Sequence, residues 1–167
     1  RARNRGVAKI QDVVVRVEGA REAAKELRKS AVDCLIGLPG TFTEDPVVVE
    51  VAQKLDVPIV LWALPEPGLY EIRNKEVDVG SLVGVMMNAS ALTKIGRKFK
   101  VVFGSPNDSR LLKELSRTLD VVRVMKQLRD SRIGLVGSRA PGFYDATFDE
   151  VLLRKSVGPE TVHVDLS

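Results

Sequence analysis

Cysteine and histidine each occur only once among the 167 residues of this chain. Cys34 therefore has no partner for an internal disulfide, and its place in an apolar run predicts a small buried hydrophobic side chain. Metal sites usually need clustered His, Cys and carboxylate ligands, and no such spacing occurs here. His163 lies in an alternating run, which favours a structural histidine in a strand. A serine–histidine–aspartate triad cannot be argued from it either.

Long hydrophobic runs and interleaved aromatic residues are missing as well. No apolar run approaches the length of a membrane span and no signal peptide precedes the first expected strand, so we expect a cytoplasmic protein without a membrane partner. Aromatic residues make up 5% of the chain and do not alternate with basic residues along any expected strand. The formal net charge of +4 is spread along helices that also carry acidic residues. We therefore expect no nucleic-acid partner.

Short apolar runs that alternate with amphipathic segments are the main pattern that is present. The runs predict strands at residues 10–17, 32–38, 57–63, 99–103, 133–136 and 161–164, and the continuous run at 32–38 is typical of a strand buried on both faces of a parallel sheet. Helices are predicted at residues 19–30, 43–55, 81–96 and 106–129, the last capped by Ser105. The helix at 81–96 is apolar nearly all round, which predicts that it is buried. The alternation predicts an α/β fold with a doubly wound, mainly parallel sheet of the flavodoxin or Rossmann type.

A long helix near the middle of the chain suggests two lobes. We predict a first α/β domain at residues 1–130, which ends in this connecting helix, and the first βαβ unit of a second α/β domain at residues 131–167. The chain starts without methionine and stops directly after a strand, so we expect a fragment. Residues 64–78 are rich in proline and polar side chains and too long for an ordinary connection, which predicts an exposed, mobile loop.

The loop at residues 137–144 is the most informative segment of the sequence. It follows a predicted strand and precedes a helix start, where Thr147 and Glu150 have the spacing of a capping box. In open α/β sheets, ligands bind beyond the carboxyl ends of the strands, so this loop is the first candidate for a site. The glycine spacing here does not match a dinucleotide-binding loop. The loops at residues 39–45 and 64–78 leave predicted strands in the same way.

These three loops carry hydroxyl, guanidinium and aromatic groups that suit a polyol or sugar: Thr41, Phe42, Glu44, Tyr70, Arg139, Phe143 and Tyr144. Ordinary capping and turn roles already explain Thr43, Thr147 and the glycines. Arg139 has two open interpretations. Its guanidinium either contacts a ligand or pairs with an acid such as Asp145 or Asp149 and only makes the loop rigid.

The run at residues 134–144, followed by Phe148-Asp149-Glu150 and His163-Val164-Asp165-Leu166, resembles the start of the second domain in the L-fucose/L-arabinose isomerase superfamily. The segment at residues 40–46 is similar to a loop that follows a first-domain strand in the same family. The resemblance covers nearly the whole chain. It implies an aldose–ketose isomerase that depends on manganese, with an ene-diol intermediate and carboxylates as acid and base.

The resemblance also implies that the catalytic carboxylates and metal ligands lie later in the parent protein. This chain then supplies a wall of the sugar pocket and takes part in homo-oligomer formation, but it is inactive and binds no manganese by itself. The substrate-binding residues implied in this way are Thr41, Phe42, Arg139, Pro141, Gly142, Phe143 and Tyr144. Leu38-Pro39 stands where fucose-specific members have aromatic residues, so the resemblance does not name the sugar.

Two other classes of protein remain open on the sequence. Two α/β lobes joined by a helix also describe sugar-binding or regulatory modules without chemistry. A structural oligomerisation domain would fit the Met86-Met87 helix and the leucine-rich face of the long helix. The sequence that follows Ser167 in the parent gene would discriminate between them, because an isomerase needs a further region that bears Glu, Asp and His.

Overall fold

The computed structural model describes residues 8–9, 11–65 and 80–166. Helices and strands alternate through these residues in the order α1 (Val17–Lys29), β1 (Leu35–Gly37), α2 (Asp45–Lys54), β2 (Ile59–Ala63), α3 (Ser81–Lys94), β3 (Phe99–Phe103), α4 (Ser109–Arg129), β4 (Arg132–Val136), α5 (Glu150–Ser156) and β5 (Glu160–Val164). The paired strands β1 with β2, β2 with β3, and β4 with β5 are all parallel. The α/β class is confirmed, and the doubly wound arrangement stays a prediction.

The chain divides into two compact units, unit 1 ending at Leu115 and unit 2 beginning at Ser116. Unit 1 contains a three-stranded sheet in the order β1-β2-β3, and unit 2 contains the two-stranded sheet β4-β5. The division falls inside α4, and the domain boundary expected at residue 131 stays a prediction. Among the helices of the described residues, none is long and apolar enough to cross a membrane.

Strand β2 forms the centre of the unit 1 core, because consecutive residues of a strand point to opposite faces of the sheet. On one face its side chains cluster with those of α2 and α3: Ala52, Ile59, Leu61, Ala63, Val85 and Leu92. On the other face, Val60 packs with Val102 of β3 and Leu111 of α4. Burial on both faces explains why β2 is apolar throughout, whereas the run at 32–38, for which such burial is predicted, forms only the short, partly exposed strand β1.

Arg97 ties the chain after α3 to the connection between α2 and β2. Its Nη1 donates to Asp56 Oδ1 at 2.8 Å, and its Nη2 donates to the carbonyl oxygens of Leu55 and Val57 at 2.9 and 3.1 Å. The guanidinium therefore supplies donors to two backbone carbonyls that precede the central strand.

The strand expected at residues 10–17 is wrong over the residues that the structure describes. Residues 11–15 form neither helix nor strand, and α1 begins at Val17. Val13 and Val15 are 92% and 70% exposed. An alternating pattern makes a strand only when a neighbouring strand completes its hydrogen bonds, and none of the strands among the described residues pairs with residues 11–15.

Helix α3 is buried on one side rather than all round, which corrects the expectation from its composition. Its inner side carries small and polar residues, including Gly84 and Asn88, and its outer side leaves Leu82 39% and Met86 63% exposed. Small residues on the inner side allow the helix axis to approach its neighbours closely. The outer apolar residues are then left uncovered within the described part of the chain.

Cys34 is half-buried against the cluster of Val60, Val102 and Leu111. Burial raises the pKa of the Cys34 thiol above its ordinary value, and the neighbouring Asp33 carboxylate raises it further. The thiolate is therefore disfavoured, which agrees with the role of a small hydrophobic residue rather than a reactive one.

Two helix caps differ from the sequence expectation. Helix α5 begins at Glu150 with Asp149 as its cap, and Asp149 Oδ1 accepts a hydrogen bond from the backbone N–H of Leu152 at 2.8 Å. Helix α4 begins at Ser109, and Asp108 Oδ1 accepts from the backbone N–H of Arg110 at 2.8 Å. In both cases an aspartate stands nearer to the first turn than the predicted Thr147 or Ser105, and aspartate is at least as good a cap.

Candidate functional site

The carboxyl ends of β4 and β5 form one edge of the unit 2 sheet, and the loop at residues 137–149 starts there. Gly137 N donates to the carbonyl of Val164 at 2.9 Å, so the loop leaves β4 directly beside the last residue of β5. At the far end of the loop, Glu150 Oε1 lies 2.7 Å from His163 Nε2. Both ends of the loop are therefore tied to the last two residues of β5.

Within this loop, Arg139 lies over the ring of Tyr144, with the guanidinium carbon 5.0 Å from the ring centroid. The chain folds back between them through a turn in which Phe143 N donates to the carbonyl of Ala140 at 3.3 Å. Both side chains are exposed, and Tyr144 is 82% exposed. The structure thus brings Arg139 and Tyr144 together, with Pro141, Gly142 and Phe143 in the turn that joins them.

The pair formed by His163 and Glu150 was missed in the sequence. The two side chains are 60% and 43% exposed, so His163 is not the interior histidine that the strand pattern favours. The signal that could have found the pair is topological: in a parallel βαβ unit, the start of the helix and the end of the next strand lie at the same edge. A hydrogen bond to a carboxylate favours one orientation of the histidine ring.

In unit 1, helix α3 holds the loops that follow β1 and β2. The Thr43 hydroxyl donates to Asn88 Oδ1 at 3.1 Å, and the backbone N–H of Leu64 donates to Ser81 Oγ at 3.0 Å. Ser81 and Asn88 are 1% and 7% exposed. Buried polar side chains cost free energy unless they are hydrogen-bonded, so these bonds fix the loops at the carboxyl edge of the sheet.

The loop after β1 carries the two remaining predicted site residues, Thr41 and Phe42. Phe42 is 56% exposed and Leu38 of the same loop is 51% exposed. The loop therefore presents an apolar face beside hydroxyl groups at the carboxyl edge of unit 1. Tyr70 and most of residues 64–78, for which exposure and mobility were expected, lie outside the described residues.

A basic depression of about 510 Å³ on α1 and α2 is lined by Arg21, Glu22, Ala24, Lys25, Arg28, Lys29 and Lys54. Much of its charge is already paired. Glu50 lies 3.1 Å from the Lys54 ammonium and 3.2 Å from the Arg21 guanidinium. The hydrogen bond from Lys54 lowers the pKa of Glu50, and that from Arg21 adds to this effect. This surface behaves as a solvated network of ion pairs rather than a ligand site.

The described residues do not form a centre for the manganese that the resemblance implies. His163 and Glu150 lie side by side, but nowhere in the described part of the chain do three or more His, Cys, Asp or Glu side chains group so that they could hold a metal ion. A divalent metal needs more protein ligands than this pair provides. The residues present therefore do not fit the ion.

Comparison of the chain with known proteins identifies a family that it matches. The family model for the N-terminal domain of fucose/sulfoquinovose isomerase matches residues 3–129. The chain is 26% identical over 156 residues to the sulfoquinovose isomerases of Priestia aryabhattai and Priestia megaterium (strain ATCC 12872 / QMB1551), covering 93% of this chain and 34% of each relative. It is 24% identical over 137 residues to that of Alkalicoccus urumqiensis, covering 82% of this chain and 30% of the relative.

The chain thus spans about a third of the length of the relatives it matches. The resemblance seen in the sequence to sugar isomerases of the fucose type is confirmed by the match over most of the chain. Both the candidate loop of unit 1 and the helix α3 that holds it lie within the matched residues. This chain belongs to the fucose/sulfoquinovose isomerase family, as part of its N-terminal region.

Proposed function

We propose that the parent of this chain is a sugar aldose–ketose isomerase, and that this chain contributes a wall of the substrate pocket. The observation that supports the proposal most directly is the match of nearly the whole chain to proteins named sulfoquinovose isomerase. A sugar is the substrate class that follows. The cytoplasmic location, the homo-oligomer and the manganese dependence expected from the resemblance are parts of the same proposal.

The role of this chain in the reaction is to bind and orient the sugar. Isomerisation moves hydrogen between neighbouring carbons, and it needs an acid, a base and polarisation of the sugar oxygens. Because the described residues do not fit a metal centre, we assign these chemical roles to parts of the parent other than the described residues. A positioned sugar reacts faster since the cost of orienting it is met by binding.

Each candidate loop, taken by itself, offers groups that can contact a sugar. The exposed ring of Phe42 can cover the apolar face of a pyranose, and Thr41 stands beside it. Arg139 presents several N–H donors in one plane, and Tyr144 holds that plane. Pro141, Gly142 and Phe143 form the turn that sets the spacing of Arg139 and Tyr144.

The test of the proposed function is a direct assay of the full-length parent with manganese and a panel of aldoses that includes sulfoquinovose. Conversion of an aldose to its ketose, followed by nuclear magnetic resonance, supports the proposal. Tight sugar binding by the folded parent without conversion would favour a sugar-binding or regulatory module instead.

The isolated chain is expected to show no isomerase activity and to bind manganese no more tightly than a surface carboxylate does. The physical reason is that its lone histidine and dispersed acids cannot assemble a ligand shell. Calorimetric titration of the chain with manganese checks this. Stoichiometric binding tighter than about micromolar, roughly 8 kcal/mol of binding free energy, would contradict the prediction.

Replacing His163 by asparagine is expected to loosen the anchor at the end of the 137–149 loop. Because the pair with Glu150 is exposed, the free energy of unfolding should fall by no more than about 1 kcal/mol. In the parent, KM for the sugar should rise about two- to fivefold, since a mobile loop must be ordered on binding. Steady-state kinetics and urea denaturation measure the two effects.

Glu160→Gln provides the matched control for this prediction. It breaks another exposed pair in the same sheet, between Glu160 and Arg132 at 3.4 Å, but at the starts of β4 and β5. Glu160→Gln should lower the free energy of unfolding by a similar amount, and KM of the parent for the sugar should stay unchanged. If both variants raise KM equally, the pair of His163 and Glu150 does not anchor the 137–149 loop for sugar binding.

A further inference from the structure

Helix α3 turns one side toward the loop that follows β1. Gly84 and Asn88 lie four residues apart and are both buried, so they follow one another on this side of the helix. A β-carbon at Gly84 would overlap the carbonyl oxygen of Thr41. One turn further along, Asn88 Oδ1 accepts a hydrogen bond from the Thr43 hydroxyl at 3.1 Å. The loop can follow the helix in this way because two extended residues span about 7 Å and four helical residues rise about 6 Å.

Asn88 is a polar residue between two residues of the unit 1 core. It is 7% exposed, and Val85 and Leu92, one turn before and after it, both belong to the hydrophobic cluster around β2. Burial of a carboxamide costs free energy unless the group is hydrogen-bonded. The bond to Thr43 supplies a partner from a segment 45 residues away in the sequence. A directional bond of this kind fixes that segment in a way that an apolar side chain at the same position would not.

The segment that Asn88 holds has no regular structure of its own. Residues 38–44 connect β1 to α2 and belong to neither a helix nor a strand. Within them, Thr43 is half-buried where it bonds to α3, whereas the neighbouring Phe42 is 56% exposed. The bond therefore holds the backbone directly beside an exposed ring.

We propose that Asn88 is a positioning residue of the sugar site, because by holding Thr43 it sets where Thr41 and Phe42 stand before the sugar binds. The inference rests on the proposed isomerase function and adds a residue that acts through the loop rather than on the sugar itself. A loop that is ordered in advance loses less conformational freedom on binding, so the bond should act on the affinity for the sugar. Since the acid, the base and the metal are assigned to other parts of the parent, it should act little on kcat.

The experiment uses the full-length parent with manganese and the aldose that it converts. Thr43→Val removes the hydroxyl but keeps the shape of the side chain, and Asn88→Leu replaces the carboxamide by an apolar group. Each variant should raise KM about three- to tenfold and change kcat less than about twofold. Thr43→Ser keeps the donor and should leave KM unchanged. Steady-state kinetics measure both constants.

The double variant that combines Thr43→Val with Asn88→Leu separates positioning from stability. Thr43→Val alone leaves the buried carboxamide without this partner and should lower the melting temperature. In the double variant neither polar group of the pair remains, so the melting temperature should return toward that of the parent. The bond that holds the loop is still missing, so KM should stay raised about three- to tenfold. A residue with only a structural role would lose both effects together.

Arg97→Met is the matched control for lost side-chain hydrogen bonds in unit 1. Arg97 donates to the carbonyl oxygens of Leu55 and Val57, which precede β2. They therefore lie at the edge of the parallel sheet opposite the loop after β1. Arg97→Met should lower the melting temperature and leave KM unchanged. Equal rises of KM in Arg97→Met and Thr43→Val would show that KM reports the stability of unit 1 rather than the position of the loop.

Other outcomes would also overturn the inference. Recovery of KM together with the melting temperature in the double variant would make Asn88 a purely structural residue. A fall in kcat with KM unchanged, or no change in either constant, would show that the bond does not set the affinity for the sugar. If the parent converts no aldose, the proposed isomerase function fails, and calorimetric titration with the same panel of aldoses decides the inference: weaker binding by Thr43→Val supports it, and equal binding or none by the parent overturns it.

Discussion

Replacing Gly84 by alanine is expected to lower the free energy of unfolding of this chain by about 2 kcal/mol. Gly84 lies in α3, and a β-carbon there would overlap the carbonyl oxygen of Thr41 and approach Pro39 Cβ to 2.9 Å. Alanine would gain about 1 kcal/mol in helix propensity, but an overlap with backbone costs about 3 kcal/mol or more because the carbonyl cannot turn aside. Urea denaturation measures the net loss.

Gly19→Ala is the matched control, since Gly19 is also a helical glycine in unit 1. A β-carbon at Gly19 meets Val14 Cγ1 at 3.6 Å, an ordinary contact. The same substitution should therefore stabilise the chain here by up to about 1 kcal/mol. The prediction for Gly84 is wrong if both substitutions shift the unfolding midpoint in the same direction.

The Gly84 contact also connects the fold to the site. The loop that a β-carbon would displace carries Thr41 and Phe42, which we propose to contact the sugar. In the parent, Gly84→Ala should therefore lower kcat/KM more than its loss of stability explains, because a shift of about 1 Å in a substrate-positioning loop is costly. Gly40→Ala in the same loop has open space around its β-carbon and should leave kcat/KM unchanged.

The positions of β1 to β5 could be predicted from apolar runs, but their burial could not, because every residue of β4 is exposed and Val102 alone is buried among the five residues of β3. The run at 99–103 coincides with β3, and the run at 57–63 contains β2, whose residues are buried on both faces. The starts of helices were less predictable. Several capping residues compete within a few positions, and the choice of Asp149 over Thr147 depends on where the first turn forms in three dimensions.

The site was predictable to the level of loops but not of contacts. Sequence alone indicated the 137–144 loop from its place after a strand, but it did not decide whether Arg139 contacts a ligand or pairs with an acid. The stacking on Tyr144 depends on a turn through Pro141 and Gly142 whose direction the sequence does not reveal. Val13 and Val15 show a different limit of the sequence. Their alternating pattern is typical of a strand, but no strand among the described residues pairs with them, and both side chains are exposed.

Replacing Gly158 by alanine is expected to cost about 3 kcal/mol or more in the free energy of unfolding of unit 2. Gly158 has φ +110°, where residues with a side chain are strained, and a β-carbon would lie 2.5 Å from Arg129 Cγ and 2.9 Å from Arg129 Cα. Its carbonyl also accepts from Arg154 Nη1 at 2.5 Å, so the backbone cannot move away freely. Strain and overlap therefore add.

Two other glycines of unit 2 separate these causes. Gly142 has φ +88° but open space, so Gly142→Ala should cost only the strain, about 1 to 2 kcal/mol, and Gly134→Ala, with open space and no positive φ, should change stability by less than about 0.5 kcal/mol. If Gly158→Ala lowers the free energy of unfolding no more than Gly142→Ala does, the Arg129 side chain moves aside and the overlap adds nothing. Because Gly158 precedes the start of β5, at the edge opposite the 137–149 loop, Gly158→Ala should leave KM of the parent for its sugar unchanged even as its melting temperature falls.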